Sequence, residues 1–224
     1  NLNPFNAKNN INGIGNIHWQ EYNTMKDEAL FNKQKEYVRK IVKEVNQYNN
    51  IYFEICNEPG ISIPEFATVE QIKAWHDAIL SLIRDEEAKL TKQHLIFQEP
   101  IFVYISGGPK EYAVDEVLQD KDIDAVNVHN TEEVSYKGVA YPNGRFMMKD
   151  VRLKAIRDFW NACYEAGKPL IFDEDNAASK FRDREGWTIH RKRAWVAVMS
   201  GGHYDFIDFS IQANGLETGT PESR

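Results

Sequence analysis

Five short apolar segments alternate with amphipathic segments along the chain, and this alternation limits the available folds more than any other feature. The apolar segments begin near residues 51, 94, 123, 170 and 204, so the gaps are 43, 29, 47 and 34 residues by subtraction. Eight-unit β/α barrels average about 31 residues per unit. Continuous apolar strands are typical of a parallel sheet covered on both faces. The pattern predicts an α/β fold, and it fits both a (β/α)8 barrel and a doubly wound open sheet.

The predicted helices follow from apolar side chains at three- and four-residue spacing. They cover 28–47, 69–90, 110–118, a segment from 150 to 167, and 187–199. The segment 130–149 contains glycine and proline and is expected to form a long loop. The first 27 residues are rich in Asn and Gly and are expected to form an irregular connection.

Composition argues against two classes of partner. Lys and Arg total 27 against 34 Asp and Glu, which gives a formal net charge of −7 at pH 7. Nucleic-acid affinity comes from clustered cations, so a nucleic acid is not expected as the partner. No apolar run approaches the ~18 residues of a membrane-spanning helix, so no membrane partner is expected either. The basic stretch from Arg182 to Arg193 is interrupted by acidic residues and is interpreted as a solvated helix face.

The two cysteines give no sign of a disulfide framework or a zinc site. Cys56 and Cys163 are too few for the first and wrongly spaced for the second. Each lies in an apolar stretch, where a small buried side chain is the expected role. No Gly-rich phosphate turn follows any predicted strand. We therefore expect no cofactor and no metal.

Polar clusters follow three of the predicted strands at their carboxyl ends. Asn57 and Glu58 follow the first strand, His129 ends the third, and Glu174 ends the fourth. In barrels and open parallel sheets, the loops at this edge surround the site crevice. A single polar strand end is equally explained as a turn or a helix cap. Three on one edge, two of them with carboxylates, predict a functional site.

The two glutamates suggest cleavage of a glycosidic bond. That reaction needs one carboxyl group to protonate the leaving oxygen and a second to attack or stabilise the sugar cation. Glu58 and Glu174 come from different strands, so the fold has to set their separation. Strict strand alternation puts Phe172 and Glu174 on one face, with Asp173 and Asp175 on the other. This favours Glu174 over its two acidic neighbours.

Two segments resemble motifs of a known group of enzymes. Residues 52–59, Tyr-Phe-Glu-Ile-Cys-Asn-Glu-Pro, resemble the strand-four motif of the clan A retaining glycoside hydrolases. These are (β/α)8 enzymes that include cellulases, mannanases and many β-glycosidases. Residues 168–174, Lys-Pro-Leu-Ile-Phe-Asp-Glu, are similar to their strand-seven motif. The resemblance extends from about residue 8 to 212.

The resemblance implies a role for each polar residue at the strand ends. Glu58 would be the acid/base and Glu174 the nucleophile of a retaining double displacement. Asn57 would contact the sugar 2-hydroxyl, and His129 would line the sugar subsite. The implied substrate is a β-linked glycoside or polysaccharide. Because polymers do not enter cells, an extracellular or periplasmic location is favoured from the substrate class.

The sequence departs from the family pattern at its amino-terminal side. If the strand near 51 is the fourth, three earlier units would need about 93 residues at ~31 each, and only 50 precede it. We therefore expect a single catalytic-type domain over 1–224, a partial barrel of the TIM-barrel type covering strands four to eight. Its unpaired edge strands predict either that the chain is a fragment of a longer enzyme or that a second copy covers those edges by self-association. Thr131 also stands where many family members carry an aromatic side chain two residues after the histidine, and Phe209-Ser210 stands where their last strand often ends in Trp.

Aromatic side chains in loops are the expected platforms for sugar rings. Trp19, Tyr136 and Tyr141 are the candidates. Trp75 has helical spacing and is expected in the core.

Two other functions remain compatible with the sequence. One is a carbohydrate-binding or assembly protein on a partial barrel without turnover, which the missing strands and aromatic residues suggest. The other is a metal-dependent barrel hydrolase, although no histidine pair has ligand spacing. Its ligands would come from His18, His129, His203, Asp173 and Asp175.

Overall fold

The computed structural model describes residues 6–61, 65–105, 108–109, 111–129, 133–142, 153–175 and 184–206. A 3-10 helix at Trp19–Glu21 precedes the α-helices, which are α1 (Glu28–Val45), α2 (Val69–Glu87), α3 (Asp115–Gln119), α4 (Leu153–Tyr164) and α5 (Arg184–Met199). The strands are β1 (Tyr52–Glu54), β2 (Gly60–Ile61), β3 (Leu95–Gln98), β4 (Phe102–Ile105), β5 (Gly108–Pro109), β6 (Glu111–Ala113), β7 (Ala125–Asn127), β8 (Glu133–Tyr136), β9 (Val139–Pro142), β10 (Leu170–Asp175) and β11 (His203–Phe206). Within these ranges, no helix combines the length and hydropathy needed to cross a bilayer.

The main sheet has five strands in the order β1-β3-β7-β10-β11. From β3 to β11 the neighbouring strands are parallel, with Phe97 opposite Ala125 and Ile171 opposite His203. Helices α2 to α5 lie between these strands in the chain. The spatial order follows the chain order, as expected when each parallel strand is joined to the next by a crossover helix. The predicted alternating α/β architecture is confirmed.

The chain divides into two compact units. The first contains residues 1–96 and 101–106, and the second contains residues 97–100 and 107–224. The division falls inside β3, whose last two residues, Phe97 and Gln98, belong to the second unit. The single domain over 1–224 stays a prediction.

In the first unit, α1 packs against α2. Each helix begins at a capping side chain: Asp27 accepts the Leu30 amide at 2.9 Å, and Thr68 accepts the Gln71 amide at 3.3 Å. Such caps satisfy backbone donors that a helix end leaves unpaired. The amphipathic pattern predicts both helices. It gives each helix an apolar stripe, and the two stripes lie between the packed helices.

Trp75 lies inside the first unit, as predicted. Its ring is buried, and its indole N–H donates to Gln34 Oε1 at 2.8 Å. The Gln34 side chain also donates to the Tyr22 carbonyl at 2.8 Å. Burial of the indole is favourable because its polar N–H has a partner.

In the second unit, α4 and α5 pack together beside β10 and β11. The buried side chains of α4 are Ile156, Phe159, Trp160 and Cys163. The rings of Trp160 and Phe172 lie 5.5 Å apart, within the range of favourable aromatic packing. Cys163 is buried as predicted, whereas Cys56 is half-buried.

The segment expected to be a long loop contains a β-hairpin, so that expectation is wrong in part. Strands β8 and β9 are antiparallel and joined by Lys137 and Gly138. Both turn residues have positive φ, 51° and 74°. Two such residues form the tight turn whose twist matches that of the flanking strands. The Gly138 signal marks this turn rather than a long loop.

The segment expected to be helical from residue 110 begins as a strand. Strand β6 pairs in parallel with β8, with Tyr112 opposite Val134, and α3 begins only at Asp115. The short apolar pattern fits either structure, and the pairing with β8 decides between them.

Candidate active site

Three adjacent parallel strands of the second unit end in polar side chains. Glu99 follows β3, His129 follows β7, and Asp173 and Glu174 lie near the end of β10. The carboxyl ends of adjacent parallel strands meet at one edge, where barrel enzymes carry their sites. The structure therefore brings His129 and Glu174 together, as the strand-end pattern predicts.

The imidazole of His129 lies among three carboxylates. Its Nδ1 is 3.4 Å from Glu99 Oε1 and 3.6 Å from Glu174 Oε2. Its Nε2 is 3.1 Å from Asp173 Oδ1, at an angle outside hydrogen-bond geometry. His129 and Glu99 are buried, whereas the side chains of Asp173 and Glu174 are 29% and 35% exposed. Asp173 and Glu174 are therefore partly accessible from solvent.

The buried residues of this cluster orient the exposed ones. Asn127, at the end of β7, donates from Nδ2 to Asp173 Oδ2 at 3.0 Å. Three carboxyl groups thus surround one imidazole at the strand edge. A carboxylate held in place in this way can stabilise a group that becomes positive during a reaction.

Glu99 is a site residue that the sequence analysis missed. Its side chain is fully buried, and it follows the apolar strand β3 directly. Gln98-Glu99-Pro100 repeats the polar-Glu-Pro order of Asn57-Glu58-Pro59. The same signal that drew attention to Glu58 was therefore present at Glu99.

The prediction from strict alternation in β10 is wrong. Asp173 and Glu174 both lie within 4 Å of the His129 ring, whereas Phe172 and Asp175 both contact Arg193. The pairing with β11 explains this, because Phe172 lies opposite Tyr204 and Asp175 lies opposite Phe206. Between these two pairs, β10 advances by three residues while β11 advances by two, so β10 contains a β-bulge. A bulge inserts one residue and re-aims the side chains that follow it.

The basic stretch is interpreted from the sequence as a solvated helix face, and this interpretation is wrong for Arg193. Arg193 is 1% exposed and forms an ion pair through Nε with Asp175, which is fully buried. Tyr204 donates its hydroxyl to the same Asp175 oxygen at 2.8 Å. Burial raises the pKa of Tyr204, and the Asp175 carboxylate raises it further, so the hydroxyl keeps its proton. Exposed Arg191 shows that the solvated face exists two residues away.

Glu58 follows β1 in the first unit, beside exposed Asn57. Its φ is 47°, in the left-handed region that residues other than glycine adopt rarely. Such a conformation costs about 1–3 kcal/mol and is concentrated at functional sites. Glu58 and Glu174 belong to different units. Their role as a catalytic pair stays a prediction.

The three predicted sugar platforms differ in exposure. Trp19 is 61% exposed, next to a His18 ring that stacks on Phe66 at 3.8 Å. Tyr141 is half-buried, with its ring 5.5 Å from that of Phe159. Tyr136 is only 5% exposed and, like Tyr141, lies in a strand of the hairpin rather than in a loop. The role of these aromatic residues as sugar platforms stays a prediction.

The five residues that would bind the metal in a metal-dependent hydrolase make separate contacts in the structure. In the second unit, His129 contacts Asp173, whereas Asp175 forms the ion pair with Arg193 and His203 is exposed. In the first unit, His18 caps the short 3-10 helix at Trp19–Glu21. These contacts give no support to a site built from the five residues.

A parallel α/β sheet with carboxylates and a histidine at the carboxyl ends of its strands is the arrangement in which (β/α)8 barrels and open α/β sheets carry their sites. The match to a family model is more specific and covers most of the chain. The chain belongs to the cellulase family, glycosyl hydrolase family 5, whose model matches residues 7–215.

Similarity to a solved structure supports the fold. A structure described as an endoglucanase aligns with a TM-score of 0.56 and 19% identity, covering 92% of this chain and 66% of that one. The chain thus spans slightly less than two thirds of that protein. The crystal structure of the cellulose synthase subunit Z from Clostridioides difficile has a TM-score of 0.47 and 13% identity, with coverage of 91% and 68%. No curated protein matches the chain in sequence.

Proposed function

We propose that this chain carries the catalytic site of a glycoside hydrolase that cleaves β-linked glucan with retention of configuration. The observation that carries the proposal is the partly exposed Glu174 carboxylate at the end of a parallel strand, beside His129, in a chain of the cellulase family. The family name supports β-glucan as the first substrate to test. Carboxyl-edge residues of parallel barrels supply the catalytic groups in this class of fold.

The mechanism has two steps, and both glutamates act in each of them. The Glu174 carboxylate attacks the anomeric carbon, the glycosidic C–O bond breaks, and Glu58 gives its proton to the leaving oxygen. Water then attacks the glycosyl-enzyme, Glu58 takes the water proton, and the Glu174 carboxylate leaves. Asn57 binds the sugar 2-hydroxyl, and exposed Trp19 stacks on a sugar ring. In the second unit, Asn127 and His129 hold the carboxylates at the strand edge.

Azide rescue tests the two roles separately. With an aryl β-cellobioside, Glu58→Ala should lower the rate by about 10²–10⁴-fold, because the general acid and base are lost. Azide should then restore turnover and give the β-glycosyl azide, since it attacks the glycosyl-enzyme in place of water. Glu174→Gly should abolish hydrolysis, and azide should give the α-glycosyl azide because it replaces the nucleophile itself.

Two matched controls complete the test. Glu116→Gln and Glu44→Gln change exposed glutamates on α3 and α1 and should leave the rate unchanged. If Asp173→Gly rather than Glu174→Gly gives α-azide rescue, the nucleophile is Asp173. Binding of cello-oligosaccharides without any hydrolysis would instead identify a carbohydrate-binding protein without turnover and would contradict the proposal.

A further inference from the structure

Two side chains of the second unit contact both ends of the β10 bulge. The guanidinium of Arg193, on α5, lies 5.3 Å from the centre of the Phe172 ring and forms the ion pair with Asp175. The Tyr204 ring, on β11, meets the Phe172 ring edge-on at 6.2 Å, and its hydroxyl donates to Asp175 at 2.8 Å. Two elements thus hold the same two residues of β10.

The residues between the held positions are Asp173 and Glu174, both of which reach the His129 ring. Bulges are rare in parallel strand pairs and leave an extra residue outside the regular ladder. Side-chain contacts at Phe172 and Asp175 therefore fix the backbone on both sides of these two residues, in addition to the contacts that Asn127 and His129 make with the two side chains themselves. His190 adds to this support, with its Nδ1 3.3 Å from the Tyr204 hydroxyl.

We propose that Arg193 and Tyr204 are positioning residues, which fix the bulge and thereby hold the Glu174 carboxylate in line for attack on the sugar. This inference rests on the proposed function, in which Glu174 is the nucleophile. Arg193 and Asp175 are almost completely buried, so neither contacts a ligand itself. A displacement of about 1 Å at a reacting atom costs on the order of 100-fold in rate. A loosened bulge therefore slows the attack by Glu174 without removing any group that binds sugar.

A mechanism-based inactivator separates attack from binding. With 2,4-dinitrophenyl 2-deoxy-2-fluoro-β-cellobioside, a bond forms between a Glu174 oxygen and the anomeric carbon. Dinitrophenolate leaves with the electron pair of the broken C–O bond. The inactivation rate constant at saturation reports attack, and the concentration giving half of that rate reports binding. Tyr204→Phe keeps the ring on Phe172 and removes the hydroxyl, and we expect it to lower the inactivation rate constant about tenfold with binding changed less than twofold.

Conservative and severe changes at Arg193 give a graded series. Arg193→Met should lower the inactivation rate constant more than Arg193→Lys, because lysine keeps the charge beside Asp175. Arg191→Met, on the exposed face of the same helix, and Tyr164→Phe, at the exposed end of α4, should both match the wild type. Circular dichroism verifies folding of every variant. Where an Arg193 variant does not fold, Tyr204→Phe decides the matter.

The outcomes separate the inference from the function on which it rests. If the wild type is not labelled on Glu174, as peptide mass spectrometry would show, the proposed function fails. If the wild type is labelled and Tyr204→Phe reacts at the same saturating rate, Tyr204 does not position Glu174 and the inference is overturned. A change confined to the binding constant also overturns it, because the residues would then act on substrate binding.

Discussion

Two histidines of the first unit are buried in opposite electrostatic surroundings. His76, on α2, is fully buried, and neither ring nitrogen has a hydrogen-bond partner among the described residues. Burial lowers its pKa to about 4, and nearby Lys73 contributes. His94 is also buried, which lowers its pKa, but the Tyr48 carbonyl and the Glu87 carboxylate hold its two nitrogens and raise the pKa overall.

The pKa shifts of His76 and His94 have opposite effects on how the stability of the fold changes with pH. Between pH 4 and about 6.5, the unfolded chain binds more protons at His76 than the folded chain does. The free energy of unfolding therefore decreases as pH falls through that window, by about 3 kcal/mol over the whole window. The raised pKa of His94 stabilises the fold fully below about pH 6.5. That stabilisation is lost as pH rises through the folded-state pKa.

Urea unfolding across pH 4 to 8 tests both shifts. His76→Leu should stabilise the chain more at pH 5 than at pH 8, because leucine leaves no nitrogen to protonate. His94→Gln should destabilise it more at pH 6 than at pH 8, since the charged form of the histidine is the stabilising one. His203→Gln, at an exposed position, serves as the control. Parallel stability curves for His76→Leu and the wild type would contradict the lowered pKa.

At the scale of elements, the turn between α5 and β11 depends on two adjacent glycines. Gly201 has φ +80°, and the Gly202 amide donates to the Ala197 carbonyl at 2.9 Å. A Cβ on Gly202 would lie 1.5 Å from Nε1 of buried Trp160. The close approach of this turn to α4 therefore leaves no room for a side chain at Gly202.

Alanine at position 202 should destabilise the chain by about 3 kcal/mol or more, at the upper end of the range for overpacking in a core. Gly138→Ala is the matched comparison, because Gly138 also lies in a turn but has no atom within 4 Å of a Cβ. The positive φ of Gly138 alone should cost about 1–2 kcal/mol. Urea midpoints measure the difference. Equal midpoints for the two variants would show that the Trp160 contact yields easily.

The long helices and the strands of the main sheet follow local sequence pattern, whereas the hairpin, strand β6 and the environments of individual side chains do not. The predicted helix 28–47 is observed at Glu28–Val45, since its spacing and its Asp27 cap are properties of neighbouring residues. The bulge in β10 depends on the register with β11, so alternation within β10 assigned Asp173 and Glu174 to opposite faces. The local sequence predicts Arg193 as a surface residue, and only the packing of α5 against Asp175 buries it.

At the scale of the whole molecule, the two outer strands of the main sheet affect how the chain can associate with another copy. In the described part of the chain, β1 and β11 each pair with one neighbour of that sheet. Exposed strand edges present backbone donors and acceptors that pair readily with another chain. Tyr52, on β1, adds a 55% exposed aromatic side chain. Self-association through these edges therefore stays our prediction.

Light scattering over a range of protein concentrations measures this property. We expect the mean mass to rise with concentration and Tyr52→Lys to reduce the rise, because an edge charge opposes strand pairing. Tyr37→Lys, at a similarly exposed position on α1, controls for the added charge. A constant monomer mass for the wild type would contradict self-association.

The sequence by itself determined the family and the alternation of the five main-sheet strands with helices. It also determined that His129 and Glu174 would share a sheet edge. These features depend on short-range periodicity and on residues at strand ends, which neighbouring positions encode. Only the tertiary structure decided that Glu99 joins His129, that Asp173 and Glu174 reach the same ring, and that Arg193 is buried. Those facts depend on register and packing between segments far apart in the chain, which no local pattern specifies.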